Sequence, residues 1–207
     1  IKLNPTNADA FYNRGVAFLK LNQHDRAIQD FDQSIKLNPT NSSAFNNRAL
    51  AFSKLNQHDR AIQDFDQSIK LNPNDASAFY NRGLSFSKLN QHDRAIQDFD
   101  QSIKLNPTNA DAFYIRGVSF ASLNQLDRAI QDLDQSIKLN PTNADAFYNR
   151  GVVFLKLNQL DRAIQDFDQS IKLNPNDADA FHNRALAFSK LNQHDRAIQD
   201  FDQAAKL

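Results

Sequence analysis

The chain contains no cysteine and no glutamate. Without cysteine there is no disulfide, no thiolate nucleophile and no Cys-based metal site. The same absence suits cytosol and periplasm alike, so it does not choose a compartment. Asp alone supplies acid, and 24 Lys plus Arg balance 24 acidic residues. No long-range field therefore points to nucleic acid or to an anionic membrane surface. No run of about 18 apolar residues exists, so no segment reads as a membrane span. A Gly-rich phosphate loop is missing too, and the opening IKLNPTN is no signal peptide.

What the chain does have is repetition. Asp25–Pro39, DRAIQDFDQSIKLNP, returns unchanged at Asp59–Pro73, Asp93–Pro107 and Asp161–Pro175, with Leu133 replacing Phe in the copy at Asp127–Pro141. A shortened copy closes the chain at Asp195–Leu207, and the spacing is always 34 residues. A fixed period of that length signals stacked supersecondary units that share one continuous core. Six units fit, beginning at Ala8, Ser42, Ala76, Ala110, Ala144 and Ala178. Residues 1–207 then form a single array, with 1–7 matching the tail of a preceding unit, as expected for a piece of a longer protein.

Each unit reads as two helices. In the first, Ala8 to Leu21, Phe11, Gly15 and Phe18 recur at helical steps; in the second, Asp25 to Leu37, Ala27, Phe31 and Ser34 form one stripe. Asn7, Asn41, Asp75, Asn109, Asn143 and Asp177 stand as N-caps of the first helices. Asn22 and its five equivalents stand where a left-handed C-terminal cap is needed. Asp25 suits the positive end of the second helix, and Asn38-Pro39 stops that helix. Connections this short predict antiparallel neighbours. All seventeen Phe residues fall in three rows, those of Phe11, Phe18 and Phe31. Truncating a well-buried Phe costs ~3–5 kcal/mol, so these rows read as core rather than as an aromatic ligand box.

F-x-x-R-G-x-x-F, then A-x-x-x-F, then P within 34 residues resembles the tetratricopeptide repeat. Phe11, Gly15, Phe18, Ala27, Phe31 and Pro39 carry the likeness in the first unit, and Ala49 and Ala185 replace the glycine in two others. The resemblance implies an all-α fold, an α-solenoid of antiparallel helix pairs in a right-handed superhelix whose first helices line a concave groove. One departure stands out: Arg14, Arg48, Arg82, Arg116, Arg150 and Arg184 occupy a place where the family usually has Leu. A guanidinium at a helix seam needs a partner, and Asp30 or Asp32 is the expected one in unit one.

The second helices hardly vary; the first helices do, at Asp9/Ser43/Ser77, Tyr12/Asn46/His182, Ala17/Ser85/Val153 and Leu19/Ser53/Ala121. A polar row persists among them: Asn13, Asn47, Asn81, Asn149 and Asn183, broken by Ile115. Asn has no helix-propensity reason to recur there. In the family this place faces the groove, where an amide can hold a peptide main chain because it both donates and accepts. Tyr12, Tyr80, Tyr114 and Tyr148 add amphipathic area, and Lys20, Lys54, Lys88, Lys156 and Lys190 add charge. The family's carboxylate clamp for chaperone tails wants Lys at Tyr12 and Asn at Val16. Neither is present, which leaves an extended, fairly neutral peptide as the expected ligand.

No catalytic constellation emerges. His24, His58, His92 and His194 share one place with Leu126 and Leu160, so they read as packing residues and not as metal ligands. Asp30 and Asp32 diverge on a helix, and Ser34 matches Ala204, a small packing residue. The expectation is a non-enzymatic protein or peptide scaffold without cofactor, nucleic-acid or membrane partner. The alternative is a structural module that self-associates end to end through its terminal helices.

Overall fold

The computed structural model describes residues 6–207 and, among them, twelve α-helices and no strand. The reading of 1–7 as a preceding unit's tail falls, for residues 1–5, outside the described residues. The chain divides into two compact units, Ile1–Pro107 and Thr108–Leu207. The first holds α1 (Ala8–Lys20), α2 (His24–Leu37), α3 (Ser42–Lys54), α4 (His58–Leu71), α5 (Ala76–Lys88) and α6 (His92–Leu105). The second holds α7 (Ala110–Ser122), α8 (Leu126–Leu139), α9 (Ala144–Lys156), α10 (Leu160–Leu173), α11 (Ala178–Lys190) and α12 (His194–Lys206).

The helix ends follow from local chemistry. Asn7 Oδ1 accepts from Ala10 N at 3.0 Å, supplying one of the bonds that a helix start lacks. At the other end of α1, Asn22 takes φ 56°. Its amide bonds Leu19 O at 3.0 Å while Gln23 N bonds Phe18 O at 2.9 Å, the two closures of a Schellman cap. All six equivalent Asn residues are left-handed. The start of α2 has no side-chain cap. Instead Gln23 Oε1 accepts from Arg26 Nη1 at 2.8 Å, and the Arg26 guanidinium lies 4.1 Å from the centroid of the Phe18 ring. Past α2, Asn38 Oδ1 accepts from both Thr40 N and Thr40 Oγ1, folding the chain around Pro39 toward the next cap.

Within a pair the helices run antiparallel. Arg14 meets Asp30 and Phe18 meets Arg26, so contacts close up toward the intervening turn. The axes approach closely because Gly15 faces Phe31: a Cβ there would stand 2.8 Å from the ring. Ala49 and Ala185 fill the same place in the second and sixth pairs, and Phe65 beneath Ala49 remains fully buried, so the ring gives way at small cost. The Phe31 row forms the core, with Phe31, Phe65, Phe99, Leu133 and Phe167 at 0 % exposure. Phe52, Phe86, Phe120, Phe154 and Phe188 are buried beside it. The Phe11 row departs from expectation. Its rings are only half-buried, and each lies near a guanidinium, that of Arg14 being 5.7 Å from the Phe11 centroid.

That guanidinium resolves the choice between the two aspartates. Arg48 donates from Nε and Nη2 to both oxygens of Asp64, in its own pair, at 2.7 Å. Its Nη1 donates to Asp32 of the preceding pair at 2.6 Å. Arg82 does the same with Asp98 and Asp66, and in the second unit Arg150 holds Asp166 and Asp134 while Arg184 holds Asp200 and Asp168. Both carboxylates are therefore used, one within the pair and one between pairs. Among the described residues Arg14 holds Asp30 alone, and its side chain is 46 % exposed against 19 % for Arg48. Burial works against the charge of Arg82, but the bonds to Asp98 and Asp66 outweigh it and raise its pKa. Burial pushes the Asp98 carboxyl above its ordinary range, with Arg82 pulling it back.

A second buried row is not satisfied. Among the described residues, the hydroxyls of Ser34, Ser68, Ser102, Ser136 and Ser170 are buried without a hydrogen-bond partner, at the place where α12 carries Ala204. Burying a hydroxyl unpaired costs ~1–3 kcal/mol by mutational measure, and Ala is the better helix former. Ser102→Ala is accordingly expected to stabilise the chain by ~1 kcal/mol in denaturant or thermal unfolding. A lowered midpoint would show that the hydroxyl is paired.

Candidate functional site

The first helices stand side by side, α1, α3 and α5 in the first unit and α7, α9 and α11 in the second. Their register brings the Asn row of one helix to the Tyr of the helix before it. Asn47 Nδ2 donates to Tyr12 Oη at 3.0 Å, Asn149 Nδ2 to Tyr114 Oη at 3.1 Å, and Asn183 Nδ2 to Tyr148 Oη at 3.0 Å. The tyrosine rings are held from below by the core: Tyr12 lies 6.1 Å from Phe31, Tyr80 6.0 Å from Phe99 and Tyr148 6.0 Å from Phe167.

These bonds decide what the row can offer a ligand. Asn149 Nδ2 also donates to Asp145 O at 2.8 Å, and Asn183 Nδ2 to Asp179 O at 3.0 Å. Both hydrogens of each amide are thus spent inside the chain, and Oδ1 is left to accept. The Tyr114 oxygen receives Asn149 and keeps its own hydrogen. Burial first, then the charge of Asp145, pushes its pKa up to about 12, with the Asn149 bond acting in the opposite sense. The phenol stays protonated and can donate. Each Tyr–Asn couple therefore presents one donor and one acceptor, from two residues and not from the amide alone.

The other sequence-predicted residues fall as follows. Asn13 is exposed on α1, Ile115 is half-buried on α7, and His182 is exposed with its ring 5.4 Å from that of Phe201. Asn81, Lys54 and Lys88 come together around a cavity of about 210 Å³ between α3, α5 and the start of α4. Leu50 and Leu84 give it apolar lining. Ser85 Oγ donates to Asn81 O at 3.2 Å, which leaves Ser53 Oγ as the donor across the 3.2 Å gap to Ser85 Oγ. His58 completes the lining; its Nδ1 is buried and without a partner. Sequence reasoning did not assemble this cavity, although it marked Ser53 and Ser85 among the positions that vary. Ser53 stands where α1 and α9 carry the larger Leu19 and Leu155, while the place of Ser85 is held by Ala17, Ala51, Ser119, Val153 and Ala187 in the other first helices.

No helix is long and apolar enough to cross a membrane, and among the described residues no group of three or more His, Asp, Cys or Glu could hold a metal ion.

A profile described as tetratricopeptide repeat matches residues 8–41, 42–75, 76–109 and 144–177. Profiles described as TPR repeat and tetratricopeptide repeat match 117–158, and 99–131 with 167–199, respectively. No curated protein sequence matches the chain. Among solved structures it is similar to YrrB, described as a TPR protein with an unusual peptide-binding site, at 24 % identity and TM-score 0.74, over 85 % of this chain and 91 % of that one. It is similar to MamA of Desulfovibrio magneticus RS-1 at 20 % identity and TM-score 0.76, over 80 % and 94 %. PilF of Pseudomonas aeruginosa aligns at 15 % identity and TM-score 0.81, over 93 % and 88 %. At these identities the structural likenesses establish the fold.

Tyr114→Phe and Asn149→Ala, singly and together, form a double-mutant cycle. A coupling of ~0.5–1.5 kcal/mol in stability is expected for the bond between α7 and α9. Additive effects would mean that the couple is not formed.

Proposed function

Because the chain belongs to the tetratricopeptide repeat family, we propose that it is a non-catalytic interaction scaffold that holds an extended segment of another protein against its first helices. The couples Tyr12–Asn47, Tyr114–Asn149 and Tyr148–Asn183 carry this reading. An extended peptide presents alternating N–H donors and C=O acceptors, and each couple supplies the complement of both. Asn13, Asn47, Asn81, Asn149 and Asn183 would take main-chain N–H groups through Oδ1. Tyr12, Tyr80, Tyr114 and Tyr148 would give their hydroxyl hydrogens to carbonyls, with Lys54 and Lys88 at the edge. A hydrogen bond nets ~0.5–1.5 kcal/mol, so several must act together. That YrrB is described as having a peptide-binding site supports the direction of the reading.

Self-association end to end is a second reading, favoured by α12. Ile198 is 57 % exposed where Ile96 is 8 %. Asp202 has no arginine among the described residues, whereas Asp32 holds Arg48. That face matches a first helix, supplied by a second copy or by further sequence.

A pull-down compares the wild-type chain with the Asn47→Ala, Asn81→Ala, Asn149→Ala triple variant. Loss of the same partner from the variant, with its melting temperature within a few degrees of wild type, is the expected result. Identical partners for both would remove the Asn row from the site. Light scattering across concentrations addresses the second reading, which a strictly monomeric chain would dismiss.

A further inference from the structure

We propose that the cavity between α3 and α5 seats an acidic side chain, glutamate in particular, of the extended segment. The inference rests on the reading of the first helices as a peptide-binding surface and adds a chemical preference to it. Three observations carry it.

The first is charge. Neither α3, SSAFNNRALAFSK, nor α5, ASAFYNRGLSFSK, contains an acidic residue. Their arginines are committed: Arg48 to Asp64 and Asp32, Arg82 to Asp98 and Asp66. Lys54 and Lys88 remain as exposed cations on the rim, and among the described residues no carboxylate pairs with either. The first helices of the second unit differ. There α7, α9 and α11 each carry an Asp in the first turn, and α7 ends in Ser122 where the others have Lys. The balance of charge across the whole chain hides this local excess.

The second is shape. Where α1 and α9 carry Leu19 and Leu155, α3 has the shorter Ser53, and beside it and Ser85 about 210 Å³ stands open. That volume admits one side chain of an extended segment and no folded element. The third is the layering of polarity. Leu50 and Leu84 line it, half-buried, and the exposed Lys54 and Lys88 stand at its edge. A glutamate can lay its two methylenes on the leucines and bring its carboxylate to the lysines, a match that neither a purely aliphatic residue nor a basic one makes. The Asn81 side chain on the same cavity would hold the adjoining main chain, which places the acidic residue within the segment and not at its end.

The test uses the whole chain, immobilised, and two arrays of short random peptides, one with amidated C-termini, so that carboxylates occur only on side chains, and one with free C-termini. The wild type is expected to select peptides enriched in Glu over Asp and over neutral residues. Ser53→Leu fills the cavity as α1 and α9 do. It should still bind peptides but lose the enrichment. The Lys54→Gln, Lys88→Gln double variant alters only exposed residues and serves even if Ser53→Leu folds poorly. Affinity for the best Glu peptide should fall about threefold to thirtyfold in it, as two solvent-facing ion pairs allow. Added salt should weaken the wild type more than this variant. Selection without acidic enrichment, unchanged selection by Ser53→Leu, or binding only to peptides with a free C-terminus each overturns the acidic pocket while leaving the scaffold reading intact. Capture of no peptide by the wild type overturns both.

Discussion

Between one helix pair and the next, a single guanidinium lies among two carboxylates and two aromatic rings. Arg82 forks onto Asp98 of its own pair, reaches Asp66 of the pair before, and sits 5.7 and 5.8 Å from the centroids of Phe79 and Phe86. Sequestering such a charge costs several kcal/mol, and only full pairing recovers it. The second carboxylate is half-exposed, so its ion pair alone contributes little. Burial of Phe99 and its neighbours, at ~3–5 kcal/mol for each large ring, is the larger driving force. What the arginine adds is register. Apolar faces can slide against one another, but a planar fork with three short bonds accepts one placement of the neighbouring pair.

Register then determines what lies on the first helices. With the pairs fixed, the Asn of one first helix meets the Tyr of the one before it, as Asn149 meets Tyr114. The uniform second helices and the Arg–Asp forks hold the frame, so residues on the first helices can change without disturbing it. Ser53 for Leu19 opens a cavity, and Ser122 for Lys removes a charge. The surface of the first helices is thus a set of local edits on a repeated support, consistent with the near-additive energetics of stacked repeats.

Most of the fold was legible before any coordinates. The period, the capping Asn7, the left-handed Asn22 and the buried Phe31 row each follow from a local rule, and each stands in the structure. The partner of the arginine was legible only as a pair of candidates. Asp30 and Asp32 diverge on their helix, and this divergence lets one serve Arg14 and the other Arg48, a division that needs the spacing of neighbouring pairs to be known. For the same reason the use of the Asn amide could not be read from the chain. Whether its hydrogens face a ligand or a tyrosine depends on the lateral placement of two helices. The cavity depends on side chains absent from it, which a pattern search for residues present passes over. A balanced net charge likewise concealed the paired lysines of α3 and α5.

The register role of the arginine is tested most directly by native-state hydrogen exchange on Arg82→Leu. At neutral pH the opening free energy of α5 and α6 should fall by roughly 3 kcal/mol, the cost of stranding a buried carboxylate. Protection in α4 should fall with it, because Asp66 is released as well. The loss should shrink as the pH is lowered: with its pKa raised by burial, Asp98 binds a proton more readily folded than unfolded, so acid favours the folded variant. Protection lost from α5 and α6 with α4 untouched, or unchanged throughout, would contradict a guanidinium that locks one pair to the next.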